Sequence, residues 1–90
     1  TYHINYFEVG PTVDLGKVNL NLCQNGDGII RSEDISNALE NKHRSNISSY
    51  PTLICLENSI NTLGGKIYPL REVKNTYEYA KKYNLHIHLD

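Results

Sequence analysis

The sequence contains few cysteines, and they lie far apart. Cys23 and Cys55 are the only two in 90 residues, and neither is part of a CxxC or CxxH pattern. A disulfide framework or a structural zinc site normally shows more ligands at closer spacing. We therefore expect both to be reduced thiols on buried strands, which predicts an intracellular, cytoplasmic protein.

The sequence also lacks an excess of positive charge and any long apolar run. Its formal net charge is -1, with 9 basic and 10 acidic side chains. A nucleic-acid-binding face normally needs a cluster of basic residues. No run approaches the roughly 18 apolar residues that indicate a membrane span, and no signal-peptide pattern is present. These absences predict that neither nucleic acids nor membranes are partners of this protein.

The length of 90 residues allows at most one small domain. A chain of this size buries only about two-thirds of its unfolded surface, so we expect it to be marginally stable by itself. The first residue is Thr1 rather than methionine, and the last predicted strand ends at Asp90 with no helix to cover it. Both features predict that the sequence is an excerpt from a longer protein.

Three segments have the apolar patterns of strands. Residues 17–23 alternate apolar and polar side chains with the period of a half-buried strand. Leu53–Leu56 is a continuous apolar run, as in strands that are buried on both faces. His86–Leu89 is a short final segment that we also interpret as a strand.

Two helices are predicted between these strands. Ser32 can cap the first helix, and Glu33 and Asp34 favour its positively polarised end. The second helix can begin at Pro69, where a missing N–H costs nothing, and Asn84 is a suitable stop. Strands and helices in alternation predict an α/β fold, with a mostly parallel sheet and helices packed on it.

A glycine-containing loop in the middle of the chain resembles the calcium loops of EF-hand and dockerin modules. Asn25, Asp27 and Gly28 match loop positions 3, 5 and 6. Position 1 would be Cys23, a soft thiol, and position 12 would be Asp34, which is shorter than the usual glutamate. A turn leading into a capped helix is the favoured interpretation. A calcium-binding module that uses the loop from Asn25 to Asp34 is the alternative.

The second half of the chain contains four short motifs: Leu53-Ile-Cys-Leu-Glu-Asn58, Gly64-Gly65, Pro69-Leu70 and His88-Leu89-Asp90. In this order and spacing they resemble the threonine aldolases, in the aromatic amino-acid β-eliminating lyase family. That family has a buried strand ending in Glu-Asn, a glycine pair, Pro-Leu at a helix start, and His-Leu-Asp-Gly-Ala-Arg. The first half is similar to the family's His-Ile-x-x-x-Glu-x-Gly segment, through His3-Ile4, Tyr6-Phe7-Glu8 and Gly10.

The resemblance implies a fold, a cofactor and a reaction. Residues 1–90 would be a piece of the large domain of a fold-type I, pyridoxal 5'-phosphate-dependent enzyme, without the phosphate-binding segment and the catalytic lysine. The full-length protein would be a lyase that cleaves L-threonine or L-allo-threonine to glycine and acetaldehyde, in threonine catabolism and glycine biosynthesis. It would be a cytoplasmic homotetramer that acts on a small amino-acid substrate. The piece alone would be inactive.

The resemblance also assigns roles to individual residues. Asp90 matches the carboxylate that keeps the ring nitrogen of the cofactor protonated. His3 matches the histidine that stacks on the cofactor ring, so it is both a cofactor-binding and a catalytic candidate. Glu8, Glu57 and Asn58 match family positions near the site but have no assigned chemical step, and structural hydrogen bonding is an equal alternative for them.

Two histidines of the family pattern are absent from this sequence. Ile60 stands where members commonly carry a histidine in a Glu-Asn-Thr-His-Asn stretch. A second family histidine, which helps to position the substrate hydroxyl, is replaced here by Ile47 or Ser48. His43 lies a few residues too early in the sequence to match that histidine. A β-eliminating relative or an inactive structural paralogue is therefore a further alternative.

Two other histidines lie near the end of the chain. His86 and His88 lie on the same face of the last predicted strand, an arrangement in which two histidines can bind one metal ion. No third or fourth ligand is spaced to complete such a site. The sequence therefore predicts no metal site.

Overall fold

The computed structural model describes residues 2–40 and 49–90. Along the chain it contains the helices and strands α1 (His3–Tyr6), α2 (Val9–Asp14), α3 (Ser32–Glu40), β1 (Leu53–Leu56), a short 3-10 helix (Asn61–Leu63), α4 (Leu70–Lys82) and β2 (His86–Leu89). The positions His43, Ile47 and Ser48, near which the family pattern has a histidine, lie outside the described residues.

The two strands form a parallel pair. Leu53 is opposite His86 and Leu56 is opposite Leu89, so β1 and β2 run in register from end to end. Parallel neighbours need a long crossover connection, and α4 provides it. The predicted combination of helices and parallel strands is therefore confirmed.

Helix α4 begins and ends where the sequence predicts. Pro69 precedes its first residue with φ of -61°, which suits a helix start. Asn84 adopts a left-handed φ of 56° just beyond the last turn, which stops the helix. The buried face of α4 carries Thr76 and Ala80, and α4 packs against β2.

The predicted strand at residues 17–23 is wrong. This segment is not in a sheet, and its apolar side chains Val18 and Leu22 are 47% and 52% exposed. Alternation predicts only which side chains share a face, whereas a strand also needs a neighbour that pairs with its backbone. In the described part of the chain, the one sheet consists of β1 and β2.

The two cysteines are free and partly buried, but only one of them is on a strand. Cys55 lies in β1, while Cys23 lies in the unpaired segment, so the prediction of two buried strands is wrong for Cys23. Burial raises the pKa of both thiols, and the nearby carboxylates Asp34 and Asp90 raise it further for Cys23 and Cys55 respectively. Both thiols are therefore weak nucleophiles at neutral pH.

The hydrophobic core packs against one face of the parallel pair. The prediction that Leu53–Leu56 is buried on both faces is therefore wrong, since Leu53 is 52% exposed and only Ile54 and Leu56 are buried. The core consists of seven buried side chains: Ile29, Ile35, Ile54, Leu56, Ile60, Tyr68 and Ala80. They come from α3, β1, α4 and the turns around them. The core thus includes residues from both halves of the chain. No helix within residues 2–40 or 49–90 is both long and apolar enough to cross a membrane.

The loop that resembles a calcium site uses its oxygens for bonds within the protein. The Asn25 Oδ1 accepts the Gly28 N–H at 3.0 Å, and Gly28 has a left-handed φ of 74°. The Asp27 carboxylate forms an ion pair with the Arg31 guanidinium, which holds the pKa of Asp27 well below its usual range. An Asp34 oxygen accepts the Arg31 N–H at 2.8 Å. These bonds favour the interpretation as a turn.

The helix after this turn starts slightly differently from the prediction. Ser32 is the first residue of α3 rather than the residue that caps it. Asp34 instead reaches back to the N–H of Arg31, just before the helix, which is one half of a capping box. Asp34 therefore satisfies the N–H of Arg31, whereas a serine cap would satisfy an N–H group inside the first turn.

Because the Tyr68 hydroxyl is buried, we expect the protein to lose folding stability at alkaline pH. The hydroxyl donates to the Ile30 carbonyl at 2.7 Å, and burial raises the pKa of Tyr68 to about 12. A raised pKa means that the unfolded state loses its proton first, so stability is full below about pH 10 and falls as pH rises toward about 12. We expect Tyr68 to contribute about 1 kcal/mol to this fall at about pH 11.

Urea unfolding at about pH 9 and about pH 11 checks this expectation. The variant Tyr68→Phe should lose less stability between the two pH values than the wild type does. Tyr77→Phe is the matched control because Tyr77 is 54% exposed on α4. Equal losses in Tyr68→Phe and the wild type would contradict the assignment to Tyr68.

Candidate functional site

The candidate site lies where the two parallel strands end. The Asp90 N–H donates to the Leu56 carbonyl at 3.0 Å, and the Asn58 N–H donates to the Asp90 carbonyl at 3.0 Å. The pairing of β1 and β2 therefore continues one step beyond the strands and fixes the Asp90 backbone. The carboxyl edge of a parallel sheet is where α/β proteins bind ligands.

Three predicted side chains meet at this edge. One possible ligand atom each from His3, Glu8 and Asp90 lies within 4.8 Å of the other two. His3 is partly buried, whereas Glu8 and Asp90 are exposed. Within residues 2–40 and 49–90, no other three histidine, cysteine or acidic side chains come together in this way. The structure thus places both ends of the chain in one cluster.

The His3 imidazole has a nitrogen without a hydrogen-bond partner among the described residues. Its Nε2 atom is buried and makes no hydrogen bond to any other described group. The ring meets Phe7 edge to face, with centroids 5.2 Å apart. Buried nitrogen atoms are nearly always hydrogen-bonded, so an unpaired one suits a bound ligand or water.

Glu57 and Asn58 make hydrogen bonds at the ends of secondary-structure elements. Glu57 is only 4% exposed, and its carboxylate accepts the backbone N–H groups of His3 and Asn61. The Asn58 Oδ1 accepts the Tyr68 N–H at 3.0 Å. These contacts agree with the alternative that Glu57 and Asn58 make structural hydrogen bonds.

A small cleft of about 60 Å³ lies beside the cluster, and its walls include Glu8, Glu57, His88 and Asp90. Ligand pockets usually measure about 300–1,000 Å³. The cleft is too small to be a whole ligand pocket, so its residues can form only one side of a larger site. His88 is a wall residue that the sequence analysis did not select. The alternation of side chains in β2 places it on the face of Cys55, its partner in β1.

A wider groove of about 1,050 Å³ lies between residues 17–25 and β1, and it shares Tyr2, Ile4 and Cys55 with the small cleft. Apolar and amide side chains dominate its walls, which include none of His3, Glu8 and Asp90. By volume alone, this groove would be the better candidate for a ligand site. We assign the chemistry to the smaller cleft because Glu8 and Asp90 line it, and within residues 2–40 and 49–90 their cluster with His3 is the one place where three histidine, cysteine or acidic side chains meet.

The whole chain, residues 1–90, matches the family model described as beta-eliminating lyase. The chain belongs to the beta-eliminating lyase family. It is similar to two proteins of Arabidopsis thaliana, at 32% identity to a probable low-specificity L-threonine aldolase 2 and 29% to a low-specificity L-threonine aldolase 1. Each alignment covers 89 residues, which are 98% of this chain and 25% of the relative. The chain thus spans about a quarter of the length of these curated relatives.

Membership in the beta-eliminating lyase family confirms the resemblance that the motifs indicate. The matched region includes the loop from Asn25 to Asp34, which is therefore a segment of this lyase family rather than a separate calcium module. Ile60, which the resemblance places at the position of a family histidine, is fully buried in the core. The roles of His3 and Asp90 stay predictions, since no ligand contact tests them.

Proposed function

We propose that this chain is part of the large, cofactor-binding domain of a pyridoxal 5'-phosphate-dependent carbon–carbon lyase. The full-length protein would cleave L-threonine or L-allo-threonine to glycine and acetaldehyde. The convergence of His3, Glu8 and Asp90 at the carboxyl edge of the parallel strands carries this proposal. The similarity to two proteins named as low-specificity L-threonine aldolases supports the choice of substrate.

The residues at this edge fit the cofactor chemically. Asp90 offers an exposed carboxylate at the tip of β2, with its backbone fixed by two hydrogen bonds. His3 offers an aromatic ring with an unpaired buried nitrogen. When bound, pyridoxal phosphate supplies an electron sink for the electron pair that remains after a bond to Cα breaks.

Asp90 would hold a proton on the ring nitrogen of the cofactor. A carboxylate close to a protonated nitrogen favours the charged form and raises its pKa. Glu8 lies next to Asp90 and adds a second negative charge, which strengthens this effect. The side chains of this chain would thus maintain the charge state in which the cofactor withdraws electrons.

His3 would lie against the cofactor ring, as the family resemblance implies. Its edge-to-face contact with Phe7 restricts the rotation of the imidazole. An ordered aromatic ring can bind another ring without a large loss of side-chain entropy. We therefore assign His3 to binding and orientation of the cofactor.

A second candidate function is β-elimination without aldol cleavage. Aldol cleavage needs a base for the substrate hydroxyl proton. The family resemblance assigns the positioning of that hydroxyl to a histidine where this chain has Ile47 or Ser48, and neither of these side chains can replace a histidine as a base. A lyase without that group could still remove a β-substituent. The products separate the two candidates.

The full-length protein, incubated with pyridoxal phosphate and then with L-threonine or L-allo-threonine, tests the proposal. Visible absorbance should report binding of the cofactor, and glycine and acetaldehyde should appear in equal amounts. Ammonia and 2-oxobutanoate without glycine would instead support β-elimination. Absence of cofactor binding would overturn both candidates, and the same protein without added cofactor is the control.

A further inference from the structure

Glu57 is a buried acidic residue with no step in the proposed chemistry. It directly follows β1, is 4% exposed and forms part of the wall of the cleft that contains Asp90. Buried carboxylates are uncommon unless they are paired or hydrogen-bonded. Its partners therefore indicate what it does.

Both carboxylate oxygens of Glu57 accept backbone N–H groups from other segments. Oε2 accepts the N–H of His3, which is 54 positions away in the sequence. Oε1 accepts the N–H of Asn61, at the start of the 3-10 helix, at 2.9 Å. One side chain thus joins the end of β1 to the first residue of α1.

Helix α1 depends on this contact because it is too short to be stable alone. It contains four residues, and Tyr2, at its N-cap position, provides no side-chain cap. The first N–H groups of a helix have no acceptor within the helix, and isolated helices of this length do not persist in water. Glu57 supplies the missing acceptor at His3.

We infer that Glu57 is a positioning residue that fixes His3 relative to Asp90 and thereby sets the affinity for the cofactor. The inference rests on the proposed function, because His3 and Asp90 are its candidate cofactor ligands. Glu57 contacts neither side chain of that pair through its carboxylate; it acts through the His3 backbone. Residues that orient a ligand-binding group typically contribute about 10-fold to 100-fold in affinity in metal sites, and we expect a similar scale here.

The carboxylate is needed because two donors point at it. In Glu57→Gln, the amide has one oxygen, so one of the two N–H groups would face an NH₂ donor instead of an acceptor. Glu57→Asp keeps both oxygens but shortens the side chain by one methylene. We therefore expect the larger defect in Glu57→Gln and a partial rescue in Glu57→Asp.

A double-mutant cycle in the full-length protein tests the inference through the dissociation constant for pyridoxal phosphate. Glu57→Gln should weaken binding about 10-fold in the wild-type background. In the His3→Ala background the same change should have little effect, because the group that Glu57 positions is gone. Equal effects in both backgrounds, or no effect, would overturn the inference. Glu78→Gln, an exposed change on α4, is the control.

Hydrogen exchange of the His3 amide in the unliganded wild-type protein gives a second test that needs no variant. The bond to the buried Glu57 carboxylate should slow exchange well below the rate of an unstructured amide. Exchange at the unstructured rate would overturn the inference even if all variants fail to fold. If the wild type binds no cofactor, the proposed function fails. If it binds and the cycle is additive, only the role of Glu57 fails.

Discussion

Replacing Asp90 by alanine is expected to lower the lyase activity of the full-length protein by on the order of 100-fold or more. The substitution removes the carboxylate that would stabilise a proton on the cofactor ring. The backbone N–H and carbonyl of Asp90, which join it to Leu56 and Asn58, are retained in the variant. The folded edge of the sheet should therefore persist while its charge is lost.

Measurements of kcat and KM for Asp90→Ala and Asp90→Asn check this expectation. Both variants lack the negative charge, so both should lose kcat, even though asparagine keeps the shape of the side chain. Glu78→Gln removes an exposed charge from α4 and should leave activity unchanged. Activity near that of the wild type in Asp90→Asn would show that the carboxylate has no electrostatic role.

Replacing Leu56 by alanine should reduce the free energy of unfolding by about 2–5 kcal/mol. Leu56 is 1% exposed in β1, so the shorter side chain would leave a cavity in the core. Small domains are stable by only about 5–15 kcal/mol, and this loss is a large fraction of that.

Leu53→Ala is a matched control for this variant. It removes the same atoms from the same strand, but Leu53 is 52% exposed. We expect a loss below about 1 kcal/mol, since partly exposed side chains bury less apolar surface. Urea unfolding curves of both variants provide the comparison. Equal destabilisation of Leu53→Ala and Leu56→Ala would contradict the placement of the core.

Local signals were sufficient for β1, α4 and β2. A run of four apolar residues, a proline at a helix start and an asparagine at a helix end each act on neighbouring residues. These signals do not need the rest of the protein, and the structure has all three elements where the sequence predicts them. The pairing of β1 with β2 also follows, because α4 is the connection that a parallel pair requires.

The segment at residues 17–23 failed because its signal was incomplete. Val18 and Leu22 alternate with polar residues as they would in a strand, but pairing depends on a partner that this pattern does not identify. Val18 and Leu22 are each about half exposed in the structure, at 47% and 52%. Alternation in the sequence therefore predicts which side chains share one face of a segment. Whether the segment becomes a strand depends on a neighbouring strand that pairs with its backbone.

The candidate site was predictable only as separate residues. The motifs indicated Asp90 and His3, and Glu8 as a neighbour, but not that their side chains would lie within 4.8 Å of one another. The two hydrogen bonds of Glu57 were also beyond the sequence, since one of them joins residues 54 positions apart. His88 became a wall of the cleft through the register of the two strands.

The amino-acid sequence by itself determined the family, the order of the later strands and α4, and the residue types that the chemistry needs. These depend on short motifs and on contacts between neighbours along the chain. The tertiary structure alone decided that α1 folds back onto the end of β1, so that His3 meets Asp90. The reason is physical: α1 is too short to be stable alone, and the buried carboxylate of Glu57, just after β1, supplies the acceptor that the first N–H of α1 requires.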